Sequence, residues 1–558
     1  MTWKPRLSIF TISCLVVCGG AAFALSSCRG AKSDGKFSAD WTSLEQYVVP
    51  EWYRDAKFGI WAHWGPQCEA EAGDWYARNM YIPNHRQYKI HCEKYGHPSQ
   101  FGFKDVINEW KAERFDAQYL VDLYKESGAQ YFVAMANHHD NFDLWDSQYQ
   151  PWNSVNMGPK KDIIGLWAAA AKKAGLPFGV SIHASSAWSW YEPAQLCDSV
   201  GPWKGIPFDG NLTREDGKGE WWEGYDPQDL YAQYRHRISD YVYDRAKANA
   251  APGDLPSEAY LQKYYDRVMD LVQRYEPELL YFDDSHLPLI ANDPKYGLSI
   301  AANAYNLSMA RNGGVNKAVI NAKNLTTLEC RCLVDDLEGG TTADLRDRTW
   351  QSDACIGGWH YRHDVSYASA GKVIKGLIDV VSKNGNLLLN IPIRGDGTID
   401  DKELAILKGI GAWLRVNGEA IYGTRSWVRF GEGPAIYEPV KLNPKGHLPV
   451  FRKDATYTSE DIRFTVKGDV LYAIVMGWPE SGEVCVKSLA LDNPNVTGKI
   501  RGVSLLGCDE PIAFAQTEAG LQVTMPAVKP NEIAYVLKIE GLNLKTKNEN
   551  HETYRQNV

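Results

Sequence analysis

The chain has 558 residues, 44% of them hydrophobic, and a formal net charge of −9. That length exceeds one ordinary domain and supplies apolar material for more than one core, while an acidic balance without a block of Lys or Arg gives nucleic acid no electrostatic footprint. Twenty Trp and thirty-one Tyr are the strongest compositional bias, and their flat faces suit sugar rings as well as protein interiors.

Lys4 and Arg6 precede an apolar run from Leu7 to Leu25, the form of an export signal. Leu25-Ser-Ser-Cys28 is similar to a bacterial lipobox, in which the cysteine becomes a lipidated first residue and Arg29 to Phe37 a polar tether; cleavage after Ala22-Phe-Ala24 is the competing reading. The expectation is a periplasmic protein or one anchored at the outer membrane, touching lipid only through Cys28. Apart from Cys14, Cys18 and Cys28, eight cysteines are scattered along the chain without the density of a disulfide framework, and no Cys/His spacing matches a structural zinc site.

Strand-like runs follow at Phe58 to Trp64, Tyr131 to Ala136, Phe178 to His183, Leu279 to Asp283, Ala318 to Asn321 and Leu387 to Ile391. Between them lie segments of helical period, Ala117 to Ser127, Ile163 to Ala174, Tyr260 to Tyr275 and Ala370 to Ser382. Strand-then-helix order over this length predicts an α/β fold, a (β/α)8-like barrel. After Trp427 short runs punctuated by Gly, Pro and Asn (Ile462 to Val466, Val470 to Met476, Val484 to Leu489, Ile533 to Ile539) predict a C-terminal antiparallel β-sandwich. The expected organisation is a signal over 1–27, a tether over 28–44, the barrel over 45–427, the sandwich over 428–544 and a polar tail over 545–558. Bracing of the barrel is the default role for the sandwich.

The most informative stretch is Glu278-Leu-Leu-Tyr-Phe-Asp-Asp-Ser285, an apolar strand that stops on two carboxylates. Acids at the end of a buried strand are costly unless they reach a cleft, and the carboxyl end of a parallel strand is where a cleft opens. Capping of the next turn by Asp284 and Ser285 is the plainer alternative. Other strand ends carry the same pattern: His63 after the first, His138-His-Asp140 after the second, His183 after the third and Asn390 after the last. Polar residues at one end of successive strands point to a shared pocket. No metal is expected, because adjacent His138 and His139 would point to opposite sides of an extended chain and lack the helical spacing of paired ligands.

Several motifs, in order, resemble the α-L-fucosidases of glycoside hydrolase family 29. They are Trp52-Tyr-Arg-Asp-Ala-Lys-Phe-Gly-Ile-Trp-Ala-His-Trp-Gly65, Gly73-Asp-Trp-Tyr-Ala-Arg-Asn-Met-Tyr81, His138-His-Asp-Asn-Phe-Asp-Leu-Trp-Asp-Ser147, Val381-Ser-Lys-Asn-Gly-Asn-Leu-Leu-Leu-Asn-Ile391 and Asn417-Gly-Glu-Ala-Ile-Tyr422. The resemblance implies a retaining, exo-acting enzyme that removes α-L-fucose from oligosaccharides or glycoconjugates without a cofactor. It places Asp283 as the nucleophile, with Asp284 where Gly is usual.

The acid/base position varies within the family, and the resemblance leads to Glu338 in Val334-Asp-Asp-Leu-Glu-Gly-Gly340, twelve residues before Trp350. Gln351 stands where a related segment carries Glu, and Asp353 and Asp336 are the other candidates. A loop ion pair with Arg346 or Arg348 is the alternative for Glu338. By resemblance, His63, Asp74 (where Glu is commoner), Trp75, His138 and His139 would bind sugar hydroxyls, while Trp359 and Tyr361 would form an apolar wall for the fucose methyl group. His183, in Ser181-Ile-His183, departs from the family's Tyr-Tyr-Ser and is taken as a further substrate-binding residue. These departures leave two alternatives: a fucose-binding relative that does not hydrolyse, and a hydrolase for a related sugar such as α-L-galactose.

Overall fold

The computed structural model describes residues 35–232, 256–284, 287–289, 293–452 and 456–544. The signal segment with Cys14 and Cys18, residues 28–34 of the tether with Cys28, Ser285 and the tail 545–558 lie outside them.

Eight parallel strands close into a barrel in sequence order: β1 (Phe58–Ala62), β2 (Tyr131–Asn137), β3 (Phe178–Ile182), β4 (Leu279–Phe282), β5 (Val319–Lys323), β6 (Val334–Asp336), β7 (Trp350–Cys355) and β8 (Gly385–Asn390). β1 pairs with β2 from Gly59↔Tyr131 and with β8 from Phe58↔Leu387, which closes the ring. Strands covered by helices outside and side chains inside are buried on both faces, so β1 to β4 read as apolar runs. The interior is filled by long side chains, and Gly59 makes room for one of them. A Cβ there would lie 2.3 Å from the Tyr131 ring, whose hydroxyl crosses toward Gln351 at 3.3 Å.

Helices start where the sequence offers an acceptor. Asp116 caps Ala117–Glu126, Asp162 caps Ile163–Ala174, Ser257 caps Glu258–Tyr275 and Ser369 caps Ala370–Ser382, each taking a backbone N–H of the first turn. Such a cap contributes about 1 kcal/mol. Gly175, at φ 72°, ends Ile163–Ala174 in the left-handed conformation that glycine adopts freely.

Two barrel strands are absent from the sequence reading, β6 and β7. Their sequences, Val-Asp-Asp and Trp-Gln-Ser-Asp-Ala-Cys, carry acids and amides in place of an apolar run, yet both are buried almost throughout. The polar groups are matched inside the barrel: Gln351 donates to Asp336 at 2.6 Å and accepts from the Tyr53 hydroxyl at 2.9 Å.

The C-terminal part consists of two antiparallel sheets. One orders Gly431–Glu432, Ile462–Lys467, Val470–Val475, Tyr535–Asn543 and Thr497–Leu505; the other orders Glu483–Val486, Gly520–Thr524 and Ala513–Thr517. The expected run Val484 to Leu489 leaves the sheet at Val486 and finishes as a 3-10 turn. Alternation along Val470–Val475 sends Leu471, Ala473 and Val475 into the sandwich core and Tyr472 and Ile474 into the barrel's. One sheet therefore serves two cores. A buried ion group seals the join, with Asp379 of Ala370–Ser382 held by Arg463 at 2.9 Å and Lys383 at 2.7 Å. The eight cysteines among the described residues are free thiols.

Candidate active site

Each barrel strand that ends on a polar residue delivers it to the same mouth. His63 follows β1, and its ring lies 5.1 Å from those of both His138 and His183 between centroids. His138 and His139 follow the last residue of β2, in a turn where the period-two rule no longer applies. Both rings therefore reach the pocket, 4.6 Å apart, and the expectation that they face opposite sides is corrected. His360 stands 4.6 Å from His63 and its Nδ1–H donates to Asp74 Oδ1 at 2.7 Å. Trp75 closes one side, its ring 6.0 Å from His139, and adopts φ 63°, ψ 16°. A left-handed conformation at a bulky residue costs on the order of 1–2 kcal/mol and marks a position held by its surroundings. Trp359, half-buried, stands 5.5 Å from Trp61 and 5.8 Å from His63.

Asp283 sits just past β4, paired through one carboxylate oxygen with His183 and through the other with Lys323, the last residue of β5. The Tyr281 hydroxyl reaches the same carboxylate at 2.9 Å. Lys323 extends to Glu338 at 2.8 Å and to Asp353 at 3.2 Å. Asp283 and Glu338 thus face each other across a single ammonium. The alternative for Glu338 named an arginine partner, but its cations are Lys323 and Lys445; Arg346 binds Asp335 at 2.8 Å and Arg348 donates to the Cys330 carbonyl at 3.1 Å. Asp336 and Asp353 lie deeper, both within reach of the Tyr281 hydroxyl, at 3.1 and 2.9 Å.

The charges differ sharply between the adjacent acids. Burial acts to raise Asp283, but Lys323 and His183 outweigh it and hold the carboxyl well below its usual range. Asp284, buried and without a lysine, is pushed up to about 7; it accepts from the Ser185 backbone N–H at 3.0 Å and from its hydroxyl, and lies 3.1 Å from His139. Between the two, Asp283 is the one kept anionic. Burial also raises Asp336 well above the ordinary range and Asp353 to about 6. On Glu338, burial is outweighed by Lys323, with Lys445 adding to it, and the carboxyl is lowered. Burial would lower His183, yet the adjoining Asp283 raises it, whereas burial and neighbouring imidazoles keep His63 and His138 neutral.

His63, Asp74, Trp75, His138, His139, His183, Asp283 and Trp359 are therefore brought together, with Glu338 opposite Asp283. Tyr361 is not. Its ring lies against Arg394, with its hydroxyl accepting from that guanidinium at 3.1 Å and donating to Asp400 at 3.4 Å, because His360 and not Tyr361 turns into the pocket. Lys323, Tyr281, His360 and Ser185 escaped the sequence reading. Lys323 had one usable signal, a lysine that ends the strand-like run Val319-Ile-Asn-Ala.

Two groups of potential ligand atoms converge within 4.8 Å, His63, Asp74, His138 and His360 in one, His63, His183 and Asp283 in the other. Hydrogen bonding favours hydroxyl recognition in the first. The Gln67 amide donates to His138 Nδ1 at 2.9 Å, which leaves Nε2 protonated and facing the pocket as a donor. Both ring nitrogens of His63 are buried without a protein partner, open to a ligand's hydroxyls.

A parallel barrel whose mouth gathers carboxylates over a floor of imidazoles, at the ends of successive strands, defines a glycoside hydrolase of the two-carboxylate kind. The alpha-L-fucosidase family model matches residues 24–419, and the alpha-L-fucosidase C-terminal domain model matches residues 454–540. The chain belongs to the α-L-fucosidase family. Rat tissue alpha-L-fucosidase is 25% identical over 546 residues, covering 93% of this chain and 96% of the relative; human plasma alpha-L-fucosidase is 28% identical over 517 residues, covering 89% and 90%. The crystal structure of Thermotoga maritima alpha-fucosidase in complex with fucose superposes with a TM-score of 0.65 at 26% identity, covering 90% of this chain and 100% of that one. The same enzyme in complex with a mechanism-based inhibitor also gives 0.65 at 26% identity and the same coverage.

Proposed function

We propose that the protein removes terminal α-L-fucose from glycans with retention of configuration, Asp283 serving as nucleophile and Glu338 as acid/base. The observation that carries the assignment is the shared Lys323 ammonium, which keeps Asp283 ionised and sets Glu338 opposite it. Retaining enzymes place two carboxyl groups about 5–5.5 Å apart, one to attack the anomeric carbon and one to protonate the departing oxygen. In the free enzyme Glu338 is the anion of a lysine pair, the form it needs when it later takes a proton from water. Sugar binding covers Glu338 and strips its water, which raises its carboxyl toward the protonated form that the first step requires.

The sugar hydroxyls meet His63, His138, His139 and Asp74. Trp359 offers an apolar face for the 6-methyl group, which is bound by burial where a hydroxyl would be stranded. Tyr361, engaged with Arg394 and Asp400, has no part in that wall.

On an aryl α-L-fucoside, Asp283→Ala is expected to lose on the order of 10³–10⁴-fold in kcat. Glu338→Ala is expected to keep activity on a substrate with a good leaving group and to form α-L-fucosyl azide when azide is added. A near-normal rate in the first variant, or no azide product in the second, overturns the respective role.

We infer as well that the chain is exported and lipidated at Cys28, from Lys4 and Arg6, the apolar run Leu7 to Leu25 and the lipobox-like Leu25-Ser-Ser-Cys28. In a bacterial host, Cys28→Ser is expected to move the protein from the membrane to the soluble fraction and to abolish palmitate labelling; an unlabelled wild-type chain refutes the anchor.

A further inference from the structure

Glu338 is followed by Gly339 and Gly340, and the reason for the two glycines lies in a segment more than a hundred residues away. A segment of the C-terminal part, between Gly431–Glu432 and Ile462–Lys467, folds back over the mouth, where Leu448–Pro449 pairs antiparallel with Gly340–Thr341. A Cβ on Gly340 would lie 2.6 Å from the Cβ of His447, so the two segments can touch only because residue 340 has none. Gly339, at φ 59°, makes the turn that exposes its carbonyl to the Val450 N–H at 3.0 Å. The Asn443 amide donates to the Glu338 backbone carbonyl at 2.8 Å. The same Asn443 side chain accepts from the backbone N–H groups of Lys445 at 3.0 Å and His447 at 2.9 Å, so the tip of the segment is closed on itself. From that tip Lys445 reaches the Glu338 carboxylate at 3.1 Å, while its own side chain is 54% exposed.

We propose that the Asn443–His447 turn is part of the catalytic apparatus and that Lys445 is a positioning residue for the acid/base carboxylate, an inference that rests on the assignment of that role to Glu338. The barrel supplies Glu338 on a loop after β6, and a loop alone does not hold a catalytic group to the tolerance the reaction needs. Backbone pairing to residues 448–450 fixes the loop, the Asn443 amide fixes residue 338 itself, and Lys445 aims the carboxylate from the solvent side while Lys323 holds it from the barrel side. The groups that face Glu338 are Lys323, Asp283, Asp353 and Tyr281 from the barrel strands and Lys445 and His447 from the turn. Lys445 is the nearby cation that solvent can reach, and its charge favours ionised Glu338.

The measurement is the pH profile of kcat/KM on an aryl α-L-fucoside for the full chain and for Lys445→Ala and Lys445→Arg. A general acid acts while protonated, so removing a cation that favours its anion moves the alkaline limb upward, by about half a pH unit or more. Arginine restores the limb because it restores the charge. Lys445→Ala is also expected to lose more on a phenyl fucoside than on a dinitrophenyl fucoside, whose leaving group needs little proton assistance. A limb that stays in place in Lys445→Ala, with equal losses on both substrates, overturns the inference. The assignment beneath it is read separately: if Glu338→Ala forms α-L-fucosyl azide and Lys445→Ala leaves the limb unmoved, the inference alone fails; if Glu338→Ala gives no azide product, the assignment fails and takes the inference with it.

Discussion

Tyr281 has one hydroxyl proton and three carboxyl groups within hydrogen-bond reach, Asp283 at 2.9 Å, Asp336 at 3.1 Å and Asp353 at 2.9 Å. Only one of them can accept that proton. Burial and the neighbouring carboxylates raise Asp336 and Asp353, so those two can bring protons of their own to the remaining contacts, while Asp283, beside Lys323 and His183, stays ionised. This has a consequence for stability. A carboxyl raised to about 6 in the fold and near 4 in the unfolded chain binds its proton more tightly when folded, so its stabilisation is complete below about pH 4 and is lost as pH rises through 6. Asp353→Asn, which cannot ionise, is expected to lessen the decline in stability between pH 4 and pH 7 by about 2 kcal/mol, read from urea midpoints across that range. An unchanged slope would place the proton elsewhere in the network. Of the residues in this network, the sequence marked Asp283 as an acid at a strand end, and the family resemblance added Glu338, Asp336 and Asp353 as candidates for the acid/base. It did not mark Tyr281, because a tyrosine inside an apolar run is read as packing and nothing local reveals that its hydroxyl meets three carboxyl groups.

At the scale of elements, the strands that sequence reading finds are those whose burial is apolar. β1 to β4 and β8 qualify, and the start of β5 does. β6 and β7 do not, since Asp335, Asp336, Gln351 and Asp353 break the hydrophobic pattern that a buried strand otherwise shows. These strands are affordable only because partners from elsewhere in the barrel satisfy them, and those partners are remote in sequence. The helix–sheet join follows the same logic. Asp379 in Ala370–Ser382 is buried against Arg463 of Ile462–Lys467 and Lys383, and both cations hold its carboxyl far below the usual range despite burial. Arg463→Ala leaves that acid with Lys383 and the Thr341 hydroxyl alone and is expected to cost about 3 kcal/mol. Chemical denaturation should show the loss, and a stability within about 0.5 kcal/mol of wild type, the usual range for surface substitutions, would mean that Lys383 and Thr341 suffice.

At the scale of the molecule, the sandwich shares one sheet with the barrel core and sends the Asn443–His447 turn to the catalytic mouth, so the two parts are one working unit. The amino-acid sequence by itself determined the α/β order, the antiparallel texture after Trp427 and the strand-end placement of His63, His138, His139, His183 and Asp283, because local periodicity and the direction of a parallel strand fix those features. Only the tertiary structure decided which acid is ionised, that Lys323 and not an arginine faces Glu338, that His360 turns inward in place of Tyr361, and that Lys445 arrives from the C-terminal part. Each of these depends on charges and hydrogen-bond partners brought together from distant parts of the chain, and the electrostatic energy of a buried group is set by its neighbours in space.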